Sequence, residues 1–254
     1  MKTKKESGNK HFWDIRSANY DKLFWVKDKG YLDLILECAE LDKKHLVLDV
    51  GTGTGTVAMA IEPHVNHVVA IDISNAMLEK GNWPGFSVIN WDIGNTLFAQ
   101  GLFDRVVARM VFHHIIDNLD RAIIRCYDSL KDDGKIVVAE GIPPSEDQDI
   151  IDWYTEMFKL KEKRRTFSIS TLEQFLSKNG FKDIQTKVHI MENFSVNNWL
   201  VNSGLPKKQR EKIYKMHVEA NQKIKDAYRM RFIKGECIIQ TMNLVVTGQK
   251  KSAE

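Results

Sequence analysis

The stretch "HLVLDVGTGTGTVAMAI", residues 45–61, decides the fold. It begins as an apolar, β-branched run, breaks into glycines at 51, 53 and 55, and resumes with helical spacing. A buried strand that feeds a glycine-rich turn and then a helix brings backbone N–H groups and a positive helix end to one point. The missing Cβ atoms let something approach closely. The loop reads as the edge of a cofactor site or, less demandingly, as a strand–helix turn that needs glycine. Asp72 closes the next apolar run, "VVAIDIS", about 20 residues beyond the loop, where an acid can accept from both ribose hydroxyls of an adenosine cofactor. Ser74 is the better cap for the helical "SNAML" that follows. Gly51, Gly53 and Gly55 form GxGxG, with Thr56 next and no third glycine at the dinucleotide offset, so NAD is disfavoured.

Outward from the loop, short apolar runs at 45–50, 67–73, 86–91, 104–111 and 135–141 alternate with segments whose apolar residues recur at three and four. Continuous apolar strands separated by helices imply a doubly wound α/β sheet, parallel and covered on both faces. After residue 141 the rhythm changes. "GIPPSEDQD" is a turn-rich link, and "DWYTEMFKLKEKRR" is helical with a charged face. "STLEQFLSKNGFKDIQTKVHIM" reads as a capped helix, an Asn-Gly stop and a strand. A long helical stretch and a closing strand, "CIIQTMNLVVTGQ", complete the chain. The simplest organisation is a single domain over 1–254. It has an N-terminal helix pair over 11–41, a cofactor-binding core over 42–145, and acceptor-side helices over 146–254 that include a basic helical insertion near 195–234.

A composition of 43% hydrophobic and 28% charged residues is that of a globular protein with a sizeable core. The basic start "MKTKKESGNK" leads into no apolar segment, and no run of about 18 apolar residues occurs, so a cytoplasmic location is expected. Cys38, Cys126 and Cys237 are odd in number and far apart, which favours reduced packing residues over disulfides or zinc. A net charge of +3 is too small to read the whole chain as a DNA binder. Charge is concentrated at 201–235, where ten basic residues face three acidic ones. "KLKEKRR" at 159–165 adds to it. This is a solvated face, or one that attracts an anionic acceptor, a membrane surface or RNA. RNA is the weaker reading, because no RNA-binding module or stacking motif is visible.

"LDVGTGTG", "AIDIS", "WDI" with Asp92, and "FDRVVARMVFHHI" together resemble the class I S-adenosylmethionine-dependent methyltransferases, over about residues 12–145. "FWDIRSANYD" and "HHI" look most like the small-molecule group that includes the ubiquinone and menaquinone C-methyltransferases. The resemblance implies a seven-stranded Rossmann-like sheet whose last strand is antiparallel beside the fifth. It implies S-adenosyl-L-methionine as donor and S-adenosyl-L-homocysteine as product. It places Asp49 and the backbone of Gly51, Thr52, Gly53 and Gly55 at the methionine end, Asp72 at the ribose, Ile73, Asp92 and Ile93 around the adenine, and Tyr20 in the covering segment. Asp92 reads equally well as a turn residue. Asp49, inside an apolar strand, needs partners that loop amides or a cofactor amine would provide.

Methyl transfer from a sulfonium needs chiefly alignment and exclusion of water. An acceptor that loses a proton also needs a base, and histidine suits neutral pH. His113 and His114 follow the fourth strand, at the end of the sheet where ligands bind; either acts on the acceptor, or both pack. Arg109, on an apolar strand, must find an anion, from a substrate or from Glu140, and the resemblance implies that its position faces the methionine end. Trp153, Tyr154, Met157 and Phe158 read as core or as an apolar acceptor pocket. No metal is expected, since adjacent histidines on one turn do not readily converge on one ion. The expected function is methyl transfer to a small-molecule acceptor. The alternatives are an RNA-modifying methyltransferase and a non-catalytic cofactor-binding subunit.

Overall fold

The computed structural model describes residue 13 and residues 15–251. Eight strands form a single sheet: β1 (Leu46–Val50), β2 (His67–Asp72), β3 (Ser87–Asn90), β4 (Phe103–Arg109), β5 (Leu130–Ile142), β6 (Lys182–Ser195), β7 (Arg231–Ile233) and β8 (Glu236–Gln249). Their order is β3-β2-β1-β4-β5-β8-β6, and the short β7 pairs with β8. The pairs β1–β2, β2–β3, β1–β4 and β4–β5 are parallel, whereas β8 runs antiparallel to both β5 and β6. The expected inversion of the last strand beside the fifth is present, and β7 raises the expected seven strands to eight.

Strand alternation explains why both faces are covered. In β5, Ile136 and Val138 point into one apolar layer and Val137 and Ala139 into the other. The first layer is closed by the helices α4 (Leu119–Ser129) and α6 (Ile169–Lys178), the second by α1 (Lys29–Ala39) and α2 (Thr56–Ile61). Leu119, Ala122, Ile123 and Cys126, at helical spacing, are the buried stripe of α4. Truncating Ile123, fully buried there, to alanine costs about 2–5 kcal/mol.

A third apolar cluster sits over the carboxyl ends of the strands. It joins Leu23 and Val26 to α5 (Gln148–Lys159), α7 (Val196–Val201), α8 (Lys207–Val218) and α9 (Gln222–Ala227). The helix pair expected over 11–41 is, from residue 20 on, two 3₁₀ turns (Tyr20–Lys22 and Phe24–Lys27) followed by α1; residues 11, 12 and 14 lie outside the described residues. Asp28 starts α1 by accepting from the Tyr31 amide at 2.8 Å. The helix expected after Asp72 is one turn, α3 (Asn75–Leu78), capped by the Ser74 hydroxyl as its sequence suggests. Because β1 leads to β2 on one side and β4 lies on the other, the chain reverses direction in the sheet between β1 and β4, and a crevice opens at their carboxyl ends.

Candidate active site

The glycine loop occupies that crevice. Gly51, Gly53 and Gly55 all have left-handed backbone, at φ of 68°, 60° and 90°, but for different reasons of space. A Cβ on Gly51 would sit 2.3 Å from Val111 Cγ2, and one on Gly55 would sit 2.6 Å from the Trp83 ring. On Gly53 it would meet only the Tyr20 ring, at 3.9 Å. Two of the glycines admit the protein's own side chains, and the middle one leaves open space. Gly53 N donates to Asp72 Oδ2 at 2.9 Å and Ser74 N donates to Asp72 Oδ1 at 2.8 Å. Burial pushes the Asp72 carboxyl up, against those amide contacts.

The adenine side is less developed. Ile73 is half exposed. Asp92 accepts from Gly94 N at 2.8 Å and from Asn95 Nδ2 at 2.5 Å, which is the turn role its sequence position allowed. Ile93 is buried in the sheet's first apolar layer, and its carbonyl accepts from Arg125.

Beneath the loop lies a small cavity lined by Asp49, Gly51, Thr52, Thr56, Arg109 and the Tyr20–Trp25 segment. Asp49 is 1% exposed, and its Oδ2 and the neighbouring Thr52 Oγ1 have no hydrogen-bond partner. Burial pushes the Asp49 carboxyl up to about 7. A buried carboxylate with an unfilled oxygen suits a cationic amine, so the residues present fit the methionine end of an adenosyl donor. The covering segment is pinned to the loop by Thr54 Oγ1 donating to Asp21 at 2.8 Å.

Arg109 answers its anion problem in neither expected way. Its Nη1 and Nη2 donate to the carbonyls of Val26 and Trp25, at 2.8 and 2.9 Å, and its guanidinium lies over the Trp25 and Tyr31 rings. Backbone carbonyls and π faces stand in for an anion, and burial lowers the arginine's pKa. Glu140, proposed as its partner, belongs to His113 instead.

The larger cavity, about 860 Å³ including the part open to solvent, shares Tyr20, Trp25 and Met110 with the first. Met110, with a left-handed φ of 57°, ends β4 at this shared rim. His113 is 2% exposed, and its Nδ1 lies 2.6 Å from Glu140 Oε2, while Glu140 Oε1 accepts from the amides of Val111 and His113. Burial pushes Glu140 up to about 7; burial and then the nearby Arg164 charge hold His113 well below its ordinary value. When Glu140 is ionised both its oxygens accept, so a neutral imidazole then carries its proton on Nδ1 and leaves Nε2 as the basic nitrogen. The His114 ring lies 3.9 Å from that of His113 and edge-on to Trp13.

Within the basic run 159–165, read from sequence as a solvated face or one that attracts an anion, Lys159 and Lys163 are exposed while Lys161, Glu162 and Arg164 are cavity wall. Lys161, Glu162 and Arg164 side chains are each 4% exposed. Glu162 Oε2 receives Arg16 at 2.8 Å and Lys161 at 2.5 Å, and Arg164 Nη1 lies 3.6 Å from Oε1. Arg165 clamps this segment to the histidine turn, donating to the carbonyls of His113, Ile115 and Ile116. Ligand atoms of His113, His114 and Glu162 lie within 4.8 Å of one another, so the adjacent histidines do converge, contrary to expectation. The charge is nonetheless wrong for a cation: Glu162 is already held by Arg16 and Lys161, and Arg164 stands beside it. Tyr154, Met157 and Phe158 line the cavity, as does His217 from the insertion; Trp153 packs behind, against His217 and Tyr228. Three of the insertion's seven lysines meet carboxylates: Lys207 with Glu211, Lys215 with Glu219, and Lys223 with Asp147 and Asp149.

A crevice at the reversal between β1 and β4, with a glycine loop, a strand-end acid and an adjoining enclosed cavity, defines a Rossmann-like group-transfer fold. The chain belongs to the methyltransferase domain family, whose model matches residues 25–186, and is an S-adenosylmethionine-dependent methyltransferase. It is similar to the uncharacterized methyltransferase YcgJ of Bacillus subtilis, with 25% identity over 208 residues that cover 78% of this chain and 80% of that one. The YcgJ crystal structure superimposes with a TM-score of 0.76 at 22% identity, covering 88% of this chain and 99% of that one. Haemonchus contortus phosphoethanolamine N-methyltransferase 2, in complex with S-adenosyl-L-methionine, shares the fold with a TM-score of 0.60 at 16% identity, over 93% of this chain and 57% of that one. The ribosomal RNA small subunit methyltransferase A of Rippkaea orientalis matches over 74 residues at 31% identity, 27% of each chain. Among the described residues no helix is long and apolar enough to cross a membrane.

Proposed function

We propose that this protein moves a methyl group from S-adenosyl-L-methionine to a small molecule held in the larger cavity, with His113 as the base and Glu140 as its positioning partner. The single observation that carries the reading is the rim of Tyr20, Trp25 and Met110 common to both cavities. A donor seated on Asp49 and the glycine loop would face an acceptor across it. When bound, the donor supplies a sulfonium-activated methyl group. Asp49, Thr52 and the loop backbone hold its methionine end and Asp72 its ribose. Ile73, Asp92 and Ile93 remain the candidates for the adenine edge. Tyr20 covers the site and Arg109, by gripping the Trp25 and Val26 carbonyls, keeps that cover closed against water.

His113 Nε2 takes the proton that an enol, phenol or protonated amine acceptor releases, and Glu140 holds the imidazole in the required tautomer. The enclosed aromatic wall favours a small molecule over an RNA base reached through a basic groove. The narrower likeness to quinone C-methyltransferases concerns the acceptor alone. Incubation with isotopically labelled donor and a small-molecule extract should yield labelled product from wild-type protein, and the His113→Ala variant should lose it. A folded wild-type protein that binds S-adenosylhomocysteine yet labels no small molecule would favour the non-catalytic subunit.

A further inference from the structure

The acceptor cavity has a chemical bias beyond being apolar. Arg164 is almost wholly buried in its wall, and Nη2 makes no hydrogen bond. Its Nη1 lies 3.6 Å from Glu162 Oε1, an ion pair without a hydrogen bond, and its Nε reaches only the Arg165 carbonyl, at 3.3 Å. Its Cζ lies over the Phe158 ring, 4.2 Å from the centroid, and 5.7 Å from that of Tyr154. It is therefore a cationic donor over aromatic rings with Nη2 unfilled. Glu162 does not fill it: Oε1 stands beyond hydrogen-bond distance from Nη1, and Oε2 is committed to Arg16 and Lys161. Nor does Glu140, being engaged by His113 and two amides. The cavity's other charged wall residues, Arg16, Lys161 and Glu162, are bound to one another, and Met157, Phe194, Trp199, Ile239 and Met242 add bulk without charge.

Resting on the methyl-transfer reading above, we infer that the acceptor is an amphipathic monoanion, an aryl or alkyl carboxylate whose carboxylate docks on Arg164 and whose body lies on the aromatic wall. A planar carboxylate matches an arginine edge with two parallel hydrogen bonds, and in a water-poor cavity such a pair discriminates strongly against an uncharged isostere. One unfilled nitrogen suits one carboxylate. A phosphate dianion presents more acceptor oxygens than Arg164 has free donors.

Matched acid and amide probes separate charge from shape. Protein saturated with S-adenosylhomocysteine is titrated calorimetrically with 4-phenylbutyrate against 4-phenylbutyramide, and with octanoate against octanamide. The first pair reports an aryl body and the second an alkyl one. We expect an acid to bind at least about tenfold more tightly than its amide, charge-assisted hydrogen bonds being roughly twice as strong as neutral ones. The preference should vanish in Arg164→Gln and be partly rescued in Arg164→Lys, with S-adenosylhomocysteine affinity unchanged in both. The inference is overturned if acid and amide bind equally, if neither binds at millimolar concentration to protein that does bind S-adenosylhomocysteine, or if the preference survives in Arg164→Gln. The wild-type comparison stands even where a variant fails to fold. Absence of S-adenosylhomocysteine binding would instead bring down the underlying reading, and this inference with it.

Discussion

The two cavities that meet at Tyr20, Trp25 and Met110 are built by opposite means. The donor side has a local base, one strand tip, one glycine loop and one acid closing the next strand within residues 49–72, which Tyr20, Trp25 and Arg109 close over. The acceptor side is assembled from a turn after β4, the end of β5, the segment 161–165, and helices α7 and α8 of the insertion. Backbone geometry makes the first and side-chain burial makes the second. Substitutions should therefore act through conformation on one side and through chemistry on the other.

The largest expected effect is on the donor side. Gly51→Val adds a side chain at φ 68° where even a Cβ would lie 2.3 Å from Val111. The variant should lose several kcal/mol of stability or fail to accumulate folded, as read by thermal denaturation. On the acceptor side, His113→Ala should lower kcat by about 10²- to 10⁴-fold and, by leaving the buried Glu140 without its partner, also lower Tm. Glu140→Gln should lower kcat less and alter the pH profile, a readout that a purely structural role would leave alone.

Asp49→Asn tests the buried carboxylate. Its folded pKa is raised from 3.8 to about 7, so the unfolded chain sheds the proton first. Stability of the ligand-free protein falls through this group as pH rises from about 4 to about 7, and the penalty is complete above that. The amide removes the penalty. The ligand-free variant should gain roughly 1–3 kcal/mol at pH 8 and nothing at pH 4, by denaturant titration at the two pH values. Gly53→Ala should be milder: its Cβ meets only Tyr20, at 3.9 Å, so the left-handed backbone alone costs about 1 kcal/mol, while donor binding weakens. Smallest of all, Lys207→Ala and Lys215→Ala remove exposed i,i+4 pairs and should leave both Tm and transfer rate unchanged.

The same division explains what could be read from the chain. The succession of strands and helices, the glycine loop and the Ser74 cap were legible because each depends on neighbours a few residues away, whereas the inverted last strand came from the family resemblance. Asp92 was ambiguous for the same local reason, and the turn role is the one formed. Arg109 was misread because its partners are two backbone carbonyls some 83 residues distant, and a carbonyl leaves no mark in a sequence. "KLKEKRR" was half legible: its sequence allows a solvated face or one that attracts an anionic acceptor, and which of its side chains turn inward is not written in it. A run of charges looks solvated wherever it stands, and only Arg16 on one side and Phe158 and Trp199 on the other turn Lys161, Glu162 and Arg164 inward. His113 was visible as a candidate, whereas its dependence on Glu140 was not, since that carboxylate reaches across from the adjacent strand.

The measurement that bears most directly on the account is calorimetric titration of the folded, ligand-free protein with S-adenosylhomocysteine, wild type beside Asp49→Asn. Saturable binding at a single site, weakened at least about tenfold by the substitution, is the predicted result. No saturable binding to folded wild-type protein at millimolar concentration, or equal affinity in the two proteins, would contradict it.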